Sequence, residues 1–125
     1  MPIGTSEILL MVGRLLLGGL FVFAGIRHLF IIPPVSQAIA ARGIPMPKLV
    51  LLAGTAFEIA AGLLLVLGIM VPFAALGLVL FTLAASVMLM NFWSMQGPAR
   101  EAAVNGWQSN IAIVGGLLIA AAHSL

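Results

Sequence analysis

Residues 48–70 read KLVLLAGTAFEIAAGLLLVLGIM, and after Lys48 the only charged side chain in this run is Glu58. The run is long enough for a helix to cross the hydrocarbon core of a bilayer, which takes roughly 20 apolar residues. Gly68 lies near its end and Pro72 follows, a residue that suits the first turn of a new helix. The segment therefore predicts a membrane-spanning helix with a carboxyl group inside the bilayer.

The composition of the whole chain points the same way. Hydrophobic residues make up 63% and charged residues 6%, whereas soluble domains carry about 25% charged residues. We therefore expect a lipid bilayer around the chain. The net charge is only +2 and there are no basic runs to neutralise phosphates, which argues against a nucleic-acid partner. Cysteine is absent, which excludes disulfides, thiol chemistry and iron–sulfur clusters held by cysteine.

Proline and glycine divide the chain into four apolar segments, at about 6–32, 48–70, 72–95 and 105–123. The turn between the second and third segments is so short that these helices must be antiparallel neighbours. The longer first and third connections are predicted to hold short interfacial helices, at Val35–Arg42 and Pro98–Val104. We expect one domain over residues 1–125, an all-α, membrane-embedded, antiparallel four-helix bundle. The first twenty residues lack a charged n-region and a cleavage site, so we expect them to remain in the mature protein.

The orientation in the membrane is predicted from the bias of Lys and Arg in short loops. Arg42 and Lys48 flank the first connection and Arg100 lies in the third, whereas the tight turn and the termini have no Lys or Arg. This bias puts both long connections in the cytoplasm and both termini outside.

Arg14 and Glu58 are the charged residues deepest in the first two segments. Counted at about 1.5 Å per residue from the two segment ends, both lie near the middle of the core. We therefore expect a buried ion pair between them, because either charge alone in the bilayer would cost several kcal/mol. Such a pair either fixes the register of the helices or provides a proton-accepting or substrate-polarising carboxylate, and both interpretations stay open.

Polar residues near the long-connection side form a second layer, and we take these five as the candidate ligand-binding residues: Arg27, His28, Asn91, Trp93 and Asn110. Each also has an ordinary structural interpretation. Arg27 suits an interfacial anchor, the tryptophan an aromatic belt, and the asparagines hydrogen bonds between helices. His28 is spaced from Gly18 and Gly25 so that all three share one helical face, which predicts that the imidazole points into the protein.

The two histidines cannot clamp one haem, because His28 and His123 are predicted at opposite sides of the membrane. One histidine with one distant glutamate is too small a ligand set for a metal site. We therefore expect no metal and no covalently bound cofactor. Redox chemistry here would depend on a diffusible quinone or on a partner protein.

Four blocks of sequence together resemble the DoxX family of bacterial membrane proteins. They are LLLGGLFVFAGIRHL after Arg14, GTAFEIAAGLLLVLG around Glu58, NFW at residues 91–93, and NGWQSNIAIVGGLLIAA around Asn110. The resemblance implies a multi-pass protein of the bacterial cytoplasmic (inner) membrane. Some members of the family are membrane subunits of thiosulfate:quinone oxidoreductase. Others associate with a superoxide dismutase and a sulfurtransferase in oxidative-stress defence.

The resemblance predicts a quinone-facing or complex-forming subunit of a membrane oxidoreductase system rather than a self-sufficient enzyme. The soluble partner would be an oxidoreductase or a sulfurtransferase. No sequence feature selects thiosulfate, and a chain without cysteine cannot itself form a persulfide. Two alternatives stay open: a small proton- or cation-coupled transporter that uses Glu58, and a structural assembly subunit with no ligand. The sequence leaves assembly into homo-oligomers open as well.

Overall fold

The computed structural model describes residues 4–125, and within that range every regular element is a helix. The elements are α1 (Thr5–Phe30), α2 (Ile32–Ala41), α3 (Pro47–Leu67), α4 (Val71–Leu89), a 3₁₀ turn (Phe92–Ser94) and α5 (Gly97–His123). The all-α prediction is confirmed.

The prolines mark where the helices begin. Proline occupies the first or second position of α2, α3, α4 and α5, where its missing N–H would have no helical acceptor. Helix α3 ends at Gly68, whose φ of +74° is left-handed and suits a residue without a Cβ. The N–H groups of Gly68 and Ile69 donate to the Leu65 and Leu64 carbonyls. These hydrogen bonds terminate α3, and α4 can therefore begin at Val71.

Among residues 4–125, three helical segments are long and apolar enough to cross a membrane: Thr5–Phe30, Pro47–Leu67 and Val71–Ser94. Helix α5, which was expected to contain the fourth span, is not among them. Its first half carries Gln108, Ser109 and Asn110 in succession, and these lower its apolar character. Large apolar side chains such as Phe23 and Leu80 are about 70% exposed, at 68% and 71%. Exposed apolar surface of this extent is typical of a surface that contacts lipid.

Of the two short helices predicted in the longer connections, one is present as a separate helix and the other is not. The first is confirmed as α2, although it begins at Ile32 rather than Val35. The second is wrong, because residues 98–104 are the first turns of a continuous α5. Helix α4 also ends earlier than the predicted residue 95. The Met90 carbonyl accepts hydrogen bonds from Trp107 Nε1 (2.6 Å) and from the Phe92 N–H (2.9 Å), and the backbone turns into the 3₁₀ segment there.

The helices pack in the order α1, α3, α4, α5, with α1 against α3 and α4 against both α3 and α5. Leu65, Leu78 and Leu117, one from each of α3, α4 and α5, are fully buried and form the centre of the core. Helix α2 packs mainly on α3 and also touches α1 and α4. The end of α1, the start of α3 and the end of α4 therefore meet beside α2, and the candidate site lies there.

Candidate functional site

Close backbone contact sets how α1 and α3 lie against each other. A Cβ on Gly18 would lie 2.5 Å from the Gly62 carbonyl oxygen, and a Cβ on Gly62 would lie 2.8 Å from the Gly18 carbonyl oxygen. Further along, Gly25 faces Ile59, with Cγ1 2.5 Å from the position of a Cβ. As the residue numbers rise on α1 they fall on α3, so the two helices are antiparallel. Small residues that let backbones approach in this way are typical of helix pairs in membranes.

This register brings His28 to Glu58. His28 Nδ1 lies 3.3 Å from Glu58 Oε2, and the Glu58 side chain is 4% exposed whereas that of His28 is 31% exposed. The contact has ion-pair distance but not hydrogen-bond geometry, so Oε2 has no hydrogen-bond partner within residues 4–125. A buried carboxyl group thus lies against the one imidazole at the end of α1. His28 also faces inward, as its spacing from the glycines predicts.

The expected ion pair between Arg14 and Glu58 is wrong for the described chain, in which Arg14 lies elsewhere. The Arg14 guanidinium lies against Gly68, with Nη2 3.1 Å from where a Gly68 Cβ would be. Gly68 is ten residues beyond Glu58, about 15 Å along a helix. We expected Arg14 and Glu58 at equal depth on the assumption that each helix begins at a surface of the hydrocarbon core. In the structure, the first turns of α1 extend past the end of α3. Arg14 is therefore at a helix C-terminus, where a cation is favourable.

A cavity of about 460 Å³ opens beside His28. Its walls come from α1, α2, α3 and α4 and are apolar except at His28 and Thr55. Representative apolar lining residues are Ile39, Leu51, Phe81 and Met88. Cavities of this size with apolar walls and few polar groups are typical of sites for small apolar or amphiphilic ligands.

The remaining candidate residues lie outside this cavity. Asn110 Nδ2 donates to Ser86 Oγ at 2.8 Å, and Ser86 Oγ donates to the Thr82 carbonyl at 2.7 Å, so Asn110 links α5 to α4. Arg27 and Trp93 are exposed, and Asn91 is half-buried between α4 and the 3₁₀ turn. Of the five predicted ligand-binding residues, the structure brings only His28 to the cavity wall, and ligand binding by any of the five stays a prediction.

Aromatic residues form a separate cluster at the start of α5. The Phe92 ring makes edge-to-face contacts with Trp93 and Trp107, with centroid distances of 5.3 and 6.3 Å. The Arg100 guanidinium lies 5.7 Å from the Phe92 ring centroid, a cation–π contact. This cluster fixes the bend between α4 and α5 and contributes no wall to the cavity.

Sequence reasoning missed the contribution of α2. Val35 and Ile39 line the cavity from this helix, and their spacing of four residues was a usable signal of one apolar helical face. It also missed Ser86 as the partner of Asn110. Within the part of the chain that the structure describes, no group of three or more His, Asp or Glu side chains could hold a metal ion.

Three helices of spanning length and a largely apolar exposed surface define this chain as a multi-pass integral membrane protein. A family model described as DoxX matches residues 9–91, and the chain belongs to the DoxX family. The family resemblance drawn from the sequence is thereby confirmed. The chain is also similar to the inner membrane protein YphA of Escherichia coli (strain K12), with 27% identity over 117 residues, which cover 94% of this chain and 84% of that protein. No solved structure matches the chain.

Proposed function

We propose that this chain is the quinone-binding subunit of a membrane oxidoreductase system in the bacterial inner membrane. The observation that carries the proposal is the cavity of about 460 Å³ beside His28, with Glu58 at the imidazole. The apolar walls suit a hydrophobic ring and its tail. The location follows from the name of its E. coli relative, an inner membrane protein.

The His28–Glu58 pair gives the cavity a polar group that suits both redox forms of a quinone. Glu58 lies at Nδ1, so the opposite edge of the imidazole, with Nε2, is the one that can meet a ligand. A protonated imidazole donates from Nε2 to a quinone carbonyl. A neutral one whose proton is on Nδ1 accepts at Nε2 from a hydroquinone hydroxyl. The charge of a Glu58 carboxylate 3.3 Å from Nδ1 favours a proton on that nitrogen, although the contact lacks hydrogen-bond geometry.

A surface groove next to the cavity supports a membrane-borne ligand. A surface groove of about 620 Å³ runs along α4 beside Arg42, and it shares Ala84 and Met88 with the cavity wall. Methionine is flexible and adapts to irregular shapes. Met88 is thus a flexible side chain between the groove and the cavity, and its movement would let a ligand dissolved in the bilayer pass.

The absence of cysteine in the sequence supports the proposed role as a subunit. Thiol redox chemistry and cysteine-held iron–sulfur clusters would have to come from a partner. A soluble oxidoreductase or sulfurtransferase would dock on α2 and on the start of α5, where Arg100 and Glu101 are exposed. Both surfaces lie on the side of the two longer connections, which we propose to be cytoplasmic with the termini outside.

We propose further that α5 also crosses the membrane and completes an antiparallel four-helix bundle within one domain. Helix α5 packs along α4 and also touches α1. Two of its polar residues have partners within the protein, since Asn110 bonds to Ser86 and Trp107 bonds to the Met90 carbonyl. Polar side chains in membrane helices are tolerated when they face such partners.

The test of the quinone proposal uses the full chain purified in a mild detergent. Lipids co-purified with the protein are extracted and their quinone is quantified, and thermal unfolding is followed with added decylubiquinone. The wild type should retain quinone and show a rise in Tm, whereas His28→Ala should lose both. His123→Ala, which changes an exposed histidine, is the control. A wild type with no co-purified quinone and no Tm shift would reject the proposal.

The buried pair also favours a second candidate, a proton-coupled transporter. A carboxyl group that is 4% exposed and touches an imidazole is a site where a proton can be held within the membrane. Glu58→Gln should then abolish solute uptake driven by a proton gradient in proteoliposomes. If flux is unchanged by this substitution, Glu58 is not a coupling residue. Intact activity of the assembled complex after His28→Ala and Asn91→Ala would instead favour a purely structural subunit.

A further inference from the structure

Thr55 places a second polar group in the wall of the cavity. The residue is 3% exposed, it lines the cavity, and its hydroxyl oxygen Oγ1 is buried with no hydrogen-bond partner within residues 4–125. A threonine inside a helix usually satisfies its hydroxyl by bonding the carbonyl four residues earlier. Here that bond is not made, and leaving a buried hydroxyl unpaired costs free energy. The hydroxyl therefore has unused hydrogen-bonding capacity, and because its oxygen is itself buried, a ligand in the cavity would meet it after a change of the Thr55 χ1 rotamer.

Thr55 also lies at the same level as His28. It is one turn before Glu58 on α3, and its carbonyl oxygen would lie 3.6 Å from a Cβ on Gly25, three residues before His28. The close approach of α1 and α3 thus brings Thr55 and His28 to the same end of the cavity wall. The other lining residues at this end and along the walls are apolar.

We propose that Thr55 is the second anchor for the headgroup and donates its hydroxyl proton in a hydrogen bond to a ring oxygen of the ligand. The inference rests on the proposed quinone-binding function and assigns one more residue to it. The ligand class is an amphiphile with an apolar tail and carbonyl oxygens on its ring, held at one point by His28 and at another by Thr55. Two anchors fix the rotation of the ring in the cavity, which one anchor cannot do.

The decisive comparison uses Thr55→Val, which removes the hydroxyl and keeps the shape. Thr82→Val is the matched control, because Thr82 is a second buried threonine with an unpartnered Oγ1 and does not line the cavity. Binding of decylubiquinone to the full chain in detergent is titrated for both variants and for Thr55→Ser. One neutral hydrogen bond corresponds to a loss of about 3- to 10-fold in affinity.

Thr55→Val should weaken binding by that factor, Thr55→Ser should restore most of it, and Thr82→Val should bind like the wild type. The Tm of ligand-free Thr55→Val should equal or exceed that of the wild type, because an unpaired buried hydroxyl has been removed. Wild-type affinity in Thr55→Val, or an equal loss in Thr82→Val, would overturn the role of Thr55 alone. If the wild type itself does not bind the quinone, the proposed function fails as well.

Discussion

His28 and Glu58 are the residue pair on which the candidate site depends. The carboxyl group of Glu58 is buried between α1 and α3, and the imidazole is the ionisable group that touches it in the described chain. Arg27, the neighbour of His28, is exposed and takes no part in this contact. Two adjacent polar residues at the end of α1 therefore have different surroundings, because a helix turns about 100° from one residue to the next.

Removing the imidazole should destabilise the protein. His28→Ala leaves the Glu58 carboxyl group buried without its partner, and we expect the free energy of unfolding to fall by about 1–3 kcal/mol. The value is below that of a fully buried pair because His28 is partly exposed. Unfolding in mixed micelles with rising SDS measures the change. The control His123→Ala should stay within about 0.5 kcal/mol of the wild type, and equal stability of the two variants would contradict the pairing.

The pairing of His28 with Glu58 shows where sequence reasoning stops. The inward direction of His28 follows from its spacing with Gly18 and Gly25 along one helix. The partner of Glu58 does not follow, because it depends on how far α1 and α3 are shifted along each other. That shift is set by backbone contact between Gly18 and Gly62, a relation between two helices that the spacing within either one cannot reveal.

At the scale of elements, the α1–α3 pair depends on its glycines. A methyl group at Gly18 would meet the Gly62 backbone, which cannot move away as a flexible side chain would. Gly18→Ala should therefore lower the free energy of unfolding by about 1–3 kcal/mol. Gly19→Ala is the control, since nothing lies within 4 Å of its Cβ position. Gly18→Ala that is as stable as Gly19→Ala would disprove this register.

The bend from α4 to α5 depends on a hydrogen bond from an indole. Trp107 Nε1 donates to the Met90 carbonyl, whereas the Trp93 side chain is 54% exposed. Trp107→Phe keeps an aromatic ring against Phe92 and removes the bond, so it should cost about 0.5–1.5 kcal/mol. Trp93→Phe should change the free energy of unfolding by less than that. The same SDS titration measures both variants. A larger loss of unfolding free energy for Trp93→Phe than for Trp107→Phe would mean that the Trp107 hydrogen bond is not what stabilises the bend.

The starts and ends of the helices could be predicted from the sequence where nearby residues determine them. The prolines and Gly68 mark helix starts and one helix end, so the long helices and α2 were expected. The end of α4 was not, because the Met90 carbonyl is taken by Trp107, seventeen residues further along the chain. The prediction of a separate helix at residues 98–104 was wrong because nothing interrupts the helix between Pro98 and Asn105. The predicted connection helix and the predicted fourth segment therefore form one continuous helix, α5.

At the scale of the whole molecule, the arrangement in the membrane decides which compartment the site faces. The natural chain has no cysteine, so single cysteines at Ala38, Ala99 and Ser124 can be labelled one at a time in intact cells. An impermeant maleimide should label the Ser124→Cys variant from outside and spare the Ala38→Cys and Ala99→Cys variants. All three variants should react in permeabilised cells, which is the control.

Two results of this labelling would contradict the proposed arrangement. Labelling of the Ala38 and Ala99 positions from outside would invert the orientation and move the site to the outer face. Labelling of the Ala99 and Ser124 positions from the same side would mean that α5 does not cross the membrane. The first result leaves the cavity itself intact, whereas the second removes the fourth helix of the proposed bundle.

Photolabelling tests most directly whether a membrane quinone occupies the cavity beside His28, as we propose. Native membranes that contain the full chain are irradiated with an azido-substituted ubiquinone analogue, and the labelled peptides are identified by mass spectrometry. Labelling should fall on the cavity segments around Leu51 and Met88, should be competed by excess ubiquinone, and should be lost in His28→Ala. Labelling confined to the exposed lipid-facing residues, or unaffected by the competitor and by His28→Ala, would contradict the account.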